Sequence, residues 1–86
     1  MGSYRVVIEA RAERELRKLS TGARKKVSDA INNLGINSLP RSSRKMVGSA
    51  GYRLRVGNYR VIYEVEHKIV SVFIIKIGYR RDIYKS

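Results

Sequence analysis

Cysteine is absent from these 86 residues, histidine, proline and phenylalanine occur once each, and only seven residues are acidic. Without cysteine there are no disulfides and no thiolate zinc sites, and a reducing cytoplasm suits the chain. No apolar run approaches the ~18 residues of a membrane span, and no basic-then-apolar leader opens the sequence. Met1-Gly2-Ser3 is compatible with a cloning remnant. The acids are scattered over helix faces and strand ends, whereas magnesium-dependent chemistry needs several carboxylates gathered around the ion. Neither a metal nor another cofactor is expected. His67, the single histidine, falls at a turn tip, and no nucleophile, base and orienting group can be assembled around it. The glycines near Gly48 and Gly51 do not form a phosphate loop.

What the chain has is positive charge. Its formal net charge of +12 favours a polyanionic partner, nucleic acid above all. Residues 1–34 carry eight Lys/Arg against four Asp/Glu, and residues 35–86 carry eleven against three, so the excess lies in the second half. The length allows one domain, residues 1–86, with one modest core.

That second half contains a hairpin. Two alternating runs flank Gly57-Asn58, a dipeptide able to supply the positive φ of a two-residue turn. The turn predicts Val56 opposite Tyr59, Arg55 opposite Arg60, Leu54 opposite Val61 and Arg53 opposite Ile62. Side chains alternate, so Arg53, Arg55 and Arg60 share one face, with Glu64, while Tyr52, Leu54, Val56, Tyr59, Val61 and Tyr63 occupy the other. Like charges directly opposite destabilise a strand pair. A bound anion would relieve that repulsion.

Before the hairpin, Tyr4–Glu9 reads as a strand. Ala12, Leu16 and Leu19 then recur at helical spacing, Ser20-Thr21-Gly22 interrupts, and Ala23, Val27, Ala30, Ile31 and Leu34 mark a second helix, with Gly35 in the place of a C-cap glycine. Ile36–Ser49, with Pro40, reads as a surface loop whose Arg41, Arg44 and Lys45 form either a solvated connection or a basic rim. After the hairpin, Ile69–Ile77 is apolar on both faces, as a covered central strand would be. Gly78 ends that strand, and Tyr79–Ser86 forms a basic tail leaving close to the arginine face. The order β-α-α-β-β-β predicts an α+β fold: a small antiparallel sheet with an N-terminal helical hairpin on one face and the arginines on the other.

A cluster of guanidinium groups grips phosphate oxygens in pairs and stays charged at any physiological pH. It can also stabilise the phosphorane formed when a ribose 2′-hydroxyl attacks its own phosphate, a reaction that needs no metal. Tyr84 suits stacking on a splayed base. Glu64 suits an ion pair with a nearby arginine, or failing that a base, and Arg81 suits a pair with Asp82.

The hairpin Tyr52–Tyr63, the apolar strand after it and Gly78-Tyr79-Arg80-Arg81-Asp82-Ile83-Tyr84 resemble the RelE toxins of bacterial and archaeal toxin–antitoxin pairs, along nearly the whole chain. The resemblance implies a cytoplasmic toxin that enters the ribosomal A site, cuts mRNA there by 2′-hydroxyl attack, and is held inactive by a cognate antitoxin. It implies roles for Arg53 and Arg55 as the basic strand residues, Arg60 as the phosphate-binding arginine, Arg80 as the late catalytic arginine and Tyr84 as the stacking tyrosine. Arg44, Lys45 and Arg81 would be additional RNA contacts. RelE itself has lysines at the first two places. Arginine cannot realistically give up its proton, so this chain is expected to stabilise charge rather than supply the base. The spacing from Arg80 to Tyr84 is also shorter than in RelE. Two other readings remain open: a ParE-like poison of DNA gyrase, which shares the fold, and an RNA- or antitoxin-binding homologue with weakened catalysis.

Overall fold

The computed structural model of the chain describes residues 3–48 and 50–79. Strand β1 (Arg5–Ile8) leads into helices α1 (Ala10–Arg17) and α2 (Thr21–Asn33), followed by strands β2 (Ser43–Lys45), β3 (Gly51–Val56), β4 (Tyr59–Glu66) and β5 (Ser71–Tyr79). The five strands form one sheet in the order β1-β5-β4-β3-β2. The α+β class and the helical hairpin on one face are as the sequence predicts.

The sheet differs from the sequence reading in strand direction and in strand number. The sheet is mixed, because β1 runs parallel to β5, with Arg5 beside Ser71 and Ile8 beside Ile74. Each turn of the β2–β5 meander reverses the chain, and β5 arrives alongside β1 pointing the same way. The second difference is β2, which lies in the segment expected to be a loop and pairs antiparallel with β3. Its three polar residues carry no alternation to announce a strand. The turn before them is set locally, with Ser43 donating from both its backbone N (3.0 Å) and its Oγ (2.7 Å) to the Pro40 carbonyl.

The hairpin register is the predicted one, from Val56 opposite Tyr59 to Arg53 opposite Ile62. Of the two turn residues only Gly57 has a positive φ, +59°, the pattern of a type II′ turn. In β5 a bulge replaces strict alternation: Ile62 pairs with Lys76 but Tyr63 with Ile74, leaving Ile75 with no residue opposite. The bulge brings Ile74 and Ile77, three positions apart, onto the same core face. It also explains the unbroken apolar run, which is half-buried on its outer side at Phe73 and Ile75 rather than covered on both sides.

The core lies between that sheet face and the helices. Ala12, Val27, Ile31 and Leu34 pack against Leu54, Val61, Tyr63, Val72, Ile74 and Ile77, all buried. An eight-residue helix such as α1 is too short to persist alone, so it depends on this contact. It also reaches the sheet through Glu15, whose Oε1 accepts the Ile77 backbone N–H at 2.7 Å, on the edge of β5 left open where β1 ends. Helix α2 begins at a hydroxyl cap, Ser20 Oγ accepting from Ala23 N at 3.4 Å. Gly35 is no left-handed cap, since it is not among the residues with positive φ. It is glycine because a Cβ would sit 2.9 Å from the Tyr4 carbonyl oxygen and 3.1 Å from Val6 Cγ2. Among the described residues, no helix is long and apolar enough to cross a membrane.

Candidate nucleic-acid interface

The sheet face turned away from the helices carries the basic side chains. Cross-strand partners share a face, so the pairings assign it without ambiguity. Arg44 stands opposite Arg53, Arg53 opposite Ile62, Arg55 opposite Arg60, Ile62 opposite Lys76, and Arg60 opposite Gly78. Two rows result. One runs Arg55–Arg60–Gly78; the other, about 6.7 Å further along at two residues of strand, runs Arg44–Arg53–Ile62–Lys76.

The three arginines share one face as the alternation predicts, but their exposure is graded. Arg55 is exposed and Arg53 half-buried, whereas Arg60 is only 4% exposed. Like charges that face each other separate where they can. Arg60 bends back along its own strand and donates from NH1 to the Tyr59 carbonyl at 3.2 Å. Neither Arg55 nor Arg60 has a carboxylate partner among the described residues. Three of the acids serve the helix layer instead, in the pairs Arg11–Glu15, Arg17–Glu13 and Lys25–Asp29. Like charges on directly opposed strand positions destabilise the pair, and more so as the surroundings dry out.

Other expected contributors are placed as follows. Arg44 belongs to the arginine face, although its NH1 is engaged by the carbonyls of Arg41 and Ser43, each at 2.9 Å. Lys45 does not belong to it. Lys45 pairs with Tyr52 on the helix-side face, its Nζ 5.4 Å from the Tyr52 ring centroid, and Tyr52 in turn stacks on Tyr63 at 5.6 Å. A one-residue step along a strand reverses the face, so Arg44 and Lys45 cannot both contribute. Glu64 shares the face but stands four residues from Arg60, roughly 13 Å along the strand. It makes no ion pair among the described residues and is too distant to act as a base at Arg60. Arg80, Arg81 and Tyr84 lie outside the described residues.

His67 is removed from this chemistry too. Its Nδ1 is 2.7 Å from the Tyr4 hydroxyl, and it lies seven residues beyond Arg60, roughly 23 Å at strand spacing. No group of three metal-ligating side chains occurs among the described residues. Burial pushes the Tyr63 phenol above its ordinary value, partly offset by the Ser43 side chain, while its hydroxyl donates to the Ser38 carbonyl at 2.8 Å.

Sequence reasoning missed Lys76 and Gly78 as members of this face. Both follow from the pairing of β5 with β4, which the turn at Gly57-Asn58 does not determine and which the bulge at Ile75 shifts by one.

The comparisons with known proteins agree with this architecture. One family, described as the ParE toxin of the type II toxin–antitoxin system parDE, matches residues 6–84. No curated protein matches the chain. Among solved structures, the archaeal RelE–RelB complex from Pyrococcus horikoshii is 30% identical with a TM-score of 0.81, over 91% of this chain and 96% of that one. The intact RelBE toxin–antitoxin complex of E. coli is 28% identical with a TM-score of 0.76, over 90% and 96%. The RelBE2 complex of Mycobacterium tuberculosis is 25% identical with a TM-score of 0.78, over 91% and 99%.

Proposed function

The chain belongs to the RelE/ParE superfamily of type II toxin–antitoxin toxins, and from that premise we propose that it is a metal-independent endoribonuclease that cuts mRNA in the ribosomal A site and so stops translation. The observation that carries this reading is the Arg55–Arg60 pair, two arginines directly opposite each other across β3 and β4 with no carboxylate partner among the described residues. In the proposed reaction the ribose 2′-oxygen forms a bond to the adjacent phosphorus and the bond from phosphorus to the 5′-oxygen breaks, leaving a 2′,3′-cyclic phosphate and a 5′-hydroxyl. The 2′-hydroxyl proton is lost and the leaving oxygen gains one. Arg55, with Arg53 and Arg60 behind it, stabilises the extra negative charge on the phosphorane. Arg80 completes the guanidinium set and Tyr84 stacks on a base, as in the RelE pattern, with Arg44 and Arg81 as outer contacts. Proton transfer falls to solvent or ribosomal groups.

Several relatives are solved as complexes of toxin with antitoxin. A cognate antitoxin is accordingly the proposed protein partner, and the cytoplasm the proposed location. The test is primer extension on a translated mRNA. Cuts within A-site codons are expected, lost with Arg55→Ala or Arg60→Ala, and lost also when the attacked nucleotide is 2′-deoxy. Intact mRNA under active translation would sink the proposal.

The family match to ParE toxins supports a second reading, a poison of DNA gyrase. A supercoiling assay separates the two: gyrase inhibition without mRNA cleavage selects the second.

A further inference from the structure

Gly78 is a strand residue for which the fold supplies no reason to be glycine. Gly35 is required by close packing, and Gly48 and Gly57 by positive φ. Gly78 has neither constraint: its φ is not in the left-handed region, and a Cβ built on it meets no atom within 4 Å. It follows Ile74-Ile75-Lys76-Ile77 and precedes Tyr79 inside β5, surroundings that suit a side chain. Glycine in a strand interior gives up packing and conformational entropy. What it leaves here is open space, directly across the β4–β5 pairing from Arg60 and in one row with Arg55. A side chain there would rise about 5 Å from the base of Arg60.

We infer that Gly78 is a positioning residue: its missing side chain forms a notch on the β5 side of Arg60 through which the sugar–phosphate backbone of single-stranded RNA crosses the sheet. This rests on the ribonuclease reading. The notch admits a slender anionic chain at the level of Arg55 and Arg60. The second row of cations, about 6.7 Å away by strand geometry, meets the neighbouring phosphate of an extended strand. A side chain at 78 would lift the RNA away from Arg60 while leaving every described contact of the protein intact.

The experiment compares Gly78→Ala, Gly78→Val and Gly78→Leu with wild type for thermal stability, antitoxin affinity and single-turnover cleavage on saturating programmed ribosomes. Stability is expected to be unchanged or higher and antitoxin affinity unchanged. Cleavage should fall in steps with side-chain volume, reaching about 100-fold for the larger residues, the scale of an ångström-sized misplacement. The loss should appear in the rate at saturation rather than in ribosome affinity. Wild-type cleavage by Gly78→Val, with Arg55→Ala inactive, overturns the notch and leaves the ribonuclease reading standing. Wild-type cleavage by Arg55→Ala and Arg60→Ala overturns both. A fall in stability matching the loss of cleavage would assign the glycine to the fold, and loss of antitoxin affinity with cleavage intact would assign the notch to the antitoxin; either overturns the inference.

Discussion

At the scale of single residues, the role proposed for Arg60 carries a stability cost. It is 4% exposed and its NH1 donates to the Tyr59 carbonyl, with no carboxylate partner among the described residues. A buried cation without an anion is costly to hold, and apolar side chains of similar volume replace such groups neutrally or with a gain. Arg60→Met is expected to raise unfolding stability by about 1 kcal/mol in urea titration while abolishing cleavage. Loss of stability in that variant would show that Arg60 is a structural residue. The proton-transfer problem is also a residue-scale one. In the proposed RelE-like mechanism Arg53 and Arg55 take the places of two lysines, and a lysine with a lowered pKa can take a proton where arginine cannot. The double variant Arg53→Lys/Arg55→Lys should therefore speed single-turnover cleavage by at least about 10-fold, the low side of general-base effects. It should also add a rise with pH that the wild-type profile lacks; identical profiles would place the base elsewhere. The arginines of β3 and β4 were legible because the Gly57-Asn58 turn determines their register. Their unequal burial was not, since alternation assigns a face and says nothing of how side chains on it separate.

At the scale of elements, what was legible followed from local pattern and what was not followed from contacts between distant segments. The two helices announce themselves by apolar spacing and the Ser20 cap, and β3–β4 by its turn. Strand β2 exists because β3 offers it an edge; three polar residues cannot signal that in advance. The parallel placement of β1 and the slipped pairing at Ile75 likewise depend on residues some 65 and 12 positions apart, beyond the reach of any periodicity. Gly35 shows the same limit: its position is that of a cap, but its reason is the neighbouring backbone at Tyr4. Gly35→Ala would force the end of α2 away from β1 against the 2.6 Å bond from Tyr4 N to the Gly35 carbonyl. A destabilisation of about 1–3 kcal/mol is expected, the usual range for overpacking, with unchanged cleavage by the folded fraction. The core has its own signature at high pH. The Tyr63 phenol is raised by burial, so its stabilising contribution is complete below the ordinary tyrosine value near 10. Above that value the unfolded chain loses its proton first, and stability declines until the pH passes the raised native pKa. Tyr63→Phe should remove this alkaline decline relative to wild type, at a cost of about 1 kcal/mol near neutrality for the bond to the Ser38 carbonyl. Parallel stability–pH curves for the two proteins would contradict it.

At the scale of the whole molecule, the sheet and helix layers divide the charge between them. The chain is strongly basic, at +12, yet three of its seven acids are matched to cations along the helices, and the opposite face keeps Arg55 and Arg60 without carboxylate partners among the described residues. The result is a molecule with a preferred side for a polyanion, which under the proposed function would orient it on RNA before any specific contact forms. Such binding proceeds by release of counterions, so the logarithm of affinity should fall linearly with the logarithm of salt, by about 0.7 for each phosphate neutralised on a single strand. Filter binding to a short single-stranded RNA across a salt series measures that slope. Arg55→Gln, on the sheet face, should reduce it by about 0.7. Lys25→Gln should leave it unchanged, because that lysine stands on the helix layer 3.5 Å from Asp29. Equal effects of the two substitutions would mean that the RNA responds to net charge alone, and the arginine face would lose its claim to be the docking side.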